Sequence, residues 1–96
     1  MAYSDMPTGD LREVEVPESN ISRESEAETI YQVGLAYSAG VGVEIDLVAA
    51  HKWFNIAAMA GSEEAKLARR EMAEMLSTGE IAEALKSARE WMALAN

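Results

Sequence analysis

The sequence contains no cysteine and only two prolines among its 96 residues. Without cysteine the chain can form no disulfide, no thiolate metal site and no cysteine nucleophile, and this absence fits a reducing compartment such as the cytoplasm. Residues 1–7 lack the basic and apolar regions of a secretory signal. Because the chain is rich in Ala, Glu, Leu and Met, which lose little rotamer freedom in a helix, composition favours an all-helical fold.

Long apolar runs and excess positive charge are also missing. The longest apolar stretch, residues 47–60, is interrupted by His51, Lys52 and Asn55, and it is too short and too polar to span a bilayer. The net charge is −9, and residues 1–28 carry eight acidic against two basic residues. Such a surface repels nucleic-acid phosphates and anionic lipids and attracts basic protein surfaces. We therefore expect neither a nucleic acid nor a membrane as partner.

The chain divides near residue 26 into two regions of different composition. Residues 1–26 combine prolines, glycine, serines and many acids without a helical period, and such a segment cannot bury enough apolar surface to offset its ordering entropy. We interpret it as a flexible, disordered acidic tail. A short arm of Leu11, Val14 and Val16 that packs on the domain or on a neighbour is the alternative. Residues 27–96 form the predicted helical domain.

The predicted domain shows the pattern of four helices joined by short loops, because apolar residues recur every three to four positions. Asp46, Ser62 and the pair Ser77 and Glu80 stand at predicted helix starts, where their side chains can accept hydrogen bonds from free backbone N–H groups. Three glycines, which reach positive φ at no steric cost, follow predicted helix ends. They are Gly40, Gly42 and Gly61.

The two halves of the domain are related by an offset of 38 residues, which places Trp53 on Trp91. Tryptophan occurs only twice in the chain, so this coincidence is informative. Self-similarity at a fixed interval of this length is the signature of helical-repeat proteins. We predict two stacked antiparallel helical hairpins, a full repeat over 27–61 and a degenerate or capping repeat over 62–96.

The first repeat contains an ordered set of glycine, small and aromatic residues. One tryptophan of the second repeat occupies the equivalent position to a tryptophan of the first. These residues are Gly34, Tyr37, Gly40, Gly42, Asp46, Ala50, Trp53, Phe54, Ala57, Gly61 and Trp91. The pattern resembles the Sel-one-like repeat, a branch of the helical-hairpin solenoids related to tetratricopeptide repeats. One departure is Glu44, where that family commonly has proline. The resemblance implies a short right-handed α-solenoid that acts as a protein-binding scaffold.

Side chains capable of chemistry form no catalytic or metal-binding pattern in the sequence. His51 is the only histidine, and no second ligand or nucleophile stands at a fitting spacing, so we interpret it as a residue of the helix surface. The run Gly40–Gly42 lacks the lysine or third glycine of a phosphate loop. Glu63 and Glu64 suit the positive end of a helix dipole. We predict no enzyme activity, no cofactor and no metal.

These features together predict a non-catalytic protein–protein interaction module, a small adaptor or scaffold. The alternative is a small acidic regulator or inhibitor that covers a basic site on a partner protein. Two repeats leave apolar ends that stacked-repeat proteins normally cover, so we expect the partner to be another protein or a second copy of this chain. Met59 and Met75, whose thioether side chains adapt to varied shapes, and His51 are the predicted partner contacts.

Overall fold

The computed structural model describes residues 26–94, so the predicted acidic tail, except for Glu26, lies outside the described residues. Within that range no strand occurs, which confirms the all-helical prediction for this part of the chain. The four helices there are α1 Ala27–Ala39, α2 Leu47–Met59, α3 Glu63–Met75 and α4 Thr78–Leu94. None of these four helices is long and apolar enough to cross a membrane.

Three of the helices begin at the capping residues that the sequence predicts. The carboxylate of Asp46 and the hydroxyl of Ser62 each accept a hydrogen bond of 3.0 Å from the backbone N–H three residues later. At the start of α4, the Ser77 hydroxyl accepts from the N–H of Glu80 at 3.1 Å, and the Glu80 carboxylate accepts from the N–H of Ser77 at 2.8 Å. These bonds satisfy backbone donors that have no partner inside the helix.

A glycine turn ends α1 and reverses the chain direction. Gly40 has φ of 76° and donates its N–H to the carbonyl of Ala36 at 2.8 Å. Gly42 has φ of 80°, in the left-handed region that costs residues with a side chain roughly 1–2 kcal/mol. The N–H of Asp46 then donates to the carbonyl of Tyr37 at 3.0 Å. This bond holds the start of α2 beside the last turn of α1.

The central element is α2, because α1, α3 and α4 all pack against it and approach one another only marginally. A helix enclosed on several sides needs small or apolar residues around most of its circumference. Its buried residues are Ala50, His51, Trp53, Phe54, Ile56, Ala57 and Ala58. Helices α3 and α4 each make their main contact with α2 and not with each other. The stacking of two hairpins into a right-handed solenoid therefore stays a prediction.

Helices α1 and α2 come close together at Gly34. A Cβ atom at this position would lie 2.5 Å from both Cδ1 and Cε1 of Phe54, well inside van der Waals contact. Phe54 is itself 1% exposed, and its ring centroid lies 5.6 Å from that of Tyr31. The close approach of α1 and α2 at Gly34 therefore depends on the missing side chain.

Small residues bring α4 against α2. Ala84 and Ala88 on α4 are fully buried, and Trp91 packs on the core cluster that contains Trp53. Two alanines one turn apart leave a shallow groove into which the side chains of a neighbouring helix can fit. The middle and the last turns of α4 therefore run alongside α2.

Candidate functional site

A cleft of ≈ 200 Å³ opens where the loop between α1 and α2, the first turns of α2 and the middle of α4 meet. We call it the α2–α4 cleft. The indole of Trp53 forms part of its wall. Its polar lining residues are Tyr37, Asp46, Lys52, Glu83 and Ser87. The cleft thus combines aromatic surface with charges of both signs.

Local structure fixes the side chains on both sides of the cleft. Asp46 is the N-cap of α2, and its carboxylate is held by the N–H of Ala49 at 3.0 Å. Glu83 and Ser87 stand four residues apart on α4, so both lie on the same side of that helix. Asp46 and Glu83 therefore line the cleft from two different helices, α2 and α4.

Among residues 26–94, the one basic residue that lines the cleft is Lys52. Its Nζ is 4.5 Å from the ring centroid of Trp53, a distance typical of a cation–π contact. Trp53 is 2% exposed, so its indole belongs mainly to the core. The described residues that line the cleft thus carry two carboxylates and one ammonium.

The two methionines predicted as partner contacts are exposed but lie outside the cleft. Met59 is 62% exposed at the end of α2, where its sulfur accepts from the Nδ2 of Asn55 at 3.7 Å, and Met75 is 59% exposed at the end of α3. Leu67, two turns before Met75 on the same side of α3, is 53% exposed. These side chains form separate apolar positions rather than part of the α2–α4 cleft.

The interpretation of His51 as a residue of the helix surface is wrong. Its side chain is 3% exposed, and its Nδ1 is buried without a hydrogen-bond partner. Burial lowers the pKa of His51 below its ordinary value of 6.5, and the positive charge of Arg69 lowers that pKa further. Arg69 of α3 also donates to the Oδ1 of Asn55 at 2.8 Å, one turn along α2 from His51. His51 is thus covered in this structure and cannot serve there as a partner contact.

The predicted signature residues occupy three kinds of position. The buried ones, which surround or belong to α2, are Gly34, Ala50, Trp53, Phe54 and Ala57. The turn residues with positive φ are Gly40, Gly42 and Gly61. Tyr37 and Asp46 line the cleft together with Trp53, and Trp91 is half-buried beside it in the core. The structure therefore brings three signature residues to one surface.

Sequence reasoning missed the α4 wall of the cleft. One signal was available, since Glu80, Glu83, Ser87 and Glu90 follow the spacing i, i+3, i+7, i+10 of one helix face. That spacing shows a polar stripe, but it does not show which helix the stripe faces. The position of Glu83 opposite Asp46 depends on how α4 packs on α2, which is a tertiary contact.

Within residues 26–94, no group of three or more histidine, aspartate or glutamate side chains could hold a metal ion. The comparisons with known proteins supply no relative, because no protein-family model matches the chain, and no curated protein or solved structure matches it significantly. The resemblance to the Sel-one-like repeat therefore stays a prediction made from the quoted residues.

Proposed function

We propose that this protein is a non-catalytic protein–protein interaction module, a small adaptor or scaffold built as a Sel-one-like repeat, and that it acts in the cytoplasm. The observation that carries the proposal is the α2–α4 cleft, where buried aromatic surface meets charged side chains on an all-helical frame. Aromatic groups with a polar rim are the features that protein-binding sites favour. The cysteine-free composition supports the cytoplasmic location.

The position of the histidine favours binding over acid–base catalysis. A general base must reach the proton that it removes, whereas His51 is buried at the contact between α2 and α3. The α2–α4 cleft instead offers Lys52 beside Trp53, together with Asp46 of α2 and Glu83 of α4. These groups suit recognition of a polar or charged surface.

The acidic regulator is a second candidate because the negative charge of the chain favours it. Residues 1–25 contain six acidic and two basic residues of the chain whose net charge is −9. An inhibitor that covers a basic site through this segment would lose most of its affinity and its salt sensitivity when those six acids are neutralised. An adaptor that binds through the helical domain would keep both.

Site-specific photo-crosslinking in cells tests the proposed function. A photoreactive amino acid replaces Ser87 in the cleft of the full chain, and in a matched control it replaces Glu74, which is exposed on α3. We expect a discrete crosslinked protein partner from position 87 and none of the same mass from position 74. The absence of any specific protein adduct from either position would contradict an adaptor role.

A further inference from the structure

The geometry of the α2–α4 cleft points to a more specific ligand. We propose that it binds a lysine or arginine side chain presented by a peptide segment of the partner protein. This inference rests on the proposed function, because it names the chemistry by which the interaction module recognises its partner. Shape, charge and wall chemistry each support it.

The size of the cleft favours side chains over a small molecule. Its volume is ≈ 200 Å³, whereas pockets for drug-sized ligands are about 300–1,000 Å³. The cleft is partly open to solvent, and Glu83 and Ser87 of α4 form part of its lining. A peptide that lies along this surface can insert one long side chain while its backbone stays outside.

The charges on the two walls select a cation. Asp46 at the start of α2 and Glu83 on α4 both line the cleft. Glu80 and Glu90 follow the helical spacing of Glu83 and Ser87 along α4. Among residues 26–94, Lys52 is the one basic residue that lines the cleft, and its ammonium lies over the indole of Trp53. The described range 26–94 has eleven acidic and six basic residues. Its net electrostatic potential is therefore negative and also attracts cations.

The aromatic wall suits the apolar stem of a basic side chain. Lysine and arginine bury their methylene groups against apolar surface while their charged ends stay with polar partners. Tyr37, which is half-buried, provides such a surface in the cleft, whereas Trp53 is 2% exposed and lies under the ammonium of Lys52. A guanidinium can also form two parallel hydrogen bonds with one carboxylate, so we expect arginine to bind more tightly than lysine.

The variant that removes the negative charge is Asp46→Asn with Glu83→Gln. Asparagine caps a helix about as well as aspartate, so the side-chain bond to the N–H of Ala49 is kept. Glu83 is exposed, and glutamine has nearly the same shape. The matched control is Glu71→Gln with Glu74→Gln, which makes the same change in net charge on the exposed side of α3.

The probe is a displayed library of random 12-residue peptides selected on the full-length chain, followed by calorimetry of the enriched peptides. We expect enrichment of arginine and lysine at one position. We also expect the cleft double variant to weaken binding roughly five- to thirtyfold, the equivalent of two charge pairs of about 0.5–1 kcal/mol each. The α3 control should change affinity less than twofold.

Three results would overturn the proposal. Enriched peptides without a shared basic residue would exclude cation recognition, and equal losses in the two double variants would show a general charge effect. If peptide binding changes the NMR shifts of α3 instead of those of Ala49 and Ser87, the binding site lies elsewhere, and the interaction-module function still stands. If no peptide is selected and position 87 gives no crosslinked partner, both the peptide-binding proposal and the interaction-module function are contradicted.

Discussion

Trp53 and Trp91 contact each other edge to face, with ring centroids 5.1 Å apart and an angle of 76° between the ring planes. The contact joins α2 to the last turns of α4 and fixes how α4 lies along the central helix. Glu83 precedes Trp91 by about two turns of the same helix, so the aromatic contact determines where the α4 wall of the cleft stands. The two indoles are therefore a structural support of the candidate site.

A double-mutant cycle measures this aromatic contact. Trp53→Leu, Trp91→Leu and the double variant each keep an apolar side chain but remove the aromatic ring. We expect a coupling free energy of about 0.5–1.5 kcal/mol, the range found for aromatic pairs, from urea unfolding followed by circular dichroism. Strictly additive effects would show that the two rings do not interact in solution.

Gly34→Ala is expected to destabilise the protein although it replaces glycine inside a helix. Alanine normally stabilises a helix interior by about 1 kcal/mol relative to glycine. Here the new Cβ would lie 2.5 Å from two ring atoms of the buried Phe54, and relieving such an overlap in a packed core costs about 1–3 kcal/mol. Chemical denaturation measures the difference in the free energy of unfolding.

Gly79→Ala is the matched control for this substitution. Gly79 lies in the first turn of α4, and the nearest atom to a Cβ there is the Ser77 Oγ at 3.9 Å. We expect this variant to be neutral or more stable than the parent. If Gly34→Ala stabilises the chain as Gly79→Ala does, then α1 does not approach α2 as the structure has it.

The stability of the fold should fall in mild acid because of His51. Burial, together with the charge of Arg69, lowers the pKa of His51 in the folded state, so the unfolded chain takes up the proton first as the pH decreases. The contribution of His51 is therefore fully present above pH 6.5 and is lost as the pH falls through the lowered pKa of the folded state.

His51→Leu removes this titration and keeps an apolar side chain in the buried position. We expect the variant to lose less unfolding free energy than the parent between pH 7.5 and pH 5. NMR titration of the His51 ring in the folded parent gives the pKa directly. A pKa at or above 6.5, or parallel pH profiles for the two proteins, would disprove the buried position.

Substitutions at Asp46 separate its capping role from its charge. Asp46→Ala removes the hydrogen bond to the N–H of Ala49 and should cost about 1 kcal/mol of unfolding free energy. Asp46→Asn should cost a few tenths of a kcal/mol at most. Thermal unfolding of the two variants measures this difference in stability. Equal losses of unfolding free energy in both variants would mean that the carboxylate stabilises α2 through its charge.

The sequence predicted the features that depend on neighbouring residues. Caps such as Asp46 and Ser62 and turns such as Gly40 obey local rules, because the backbone itself requires an acceptor or a positive φ at those places.

The features that were missed or wrong depend on how the helices assemble. His51 was assigned to the surface because no second ligand or nucleophile stands at a fitting spacing in the sequence, whereas three helices pack around α2 and bury it. Glu83 and Ser87 belong to the cleft only because α4 lies beside α2. No local pattern in α4 specifies that neighbour, so the site could not be assembled from the sequence.

Helix α4 packs on α2 through the two tryptophans and so forms the α2–α4 cleft. Nuclear Overhauser spectroscopy on the full chain measures this packing. We expect cross-peaks between the ring protons of Trp53 and Trp91, together with contacts that link Ala84 and Ala88 to α2. Assigned indole signals with no cross-peaks between them, or contacts of these alanines with α3 alone, would contradict it.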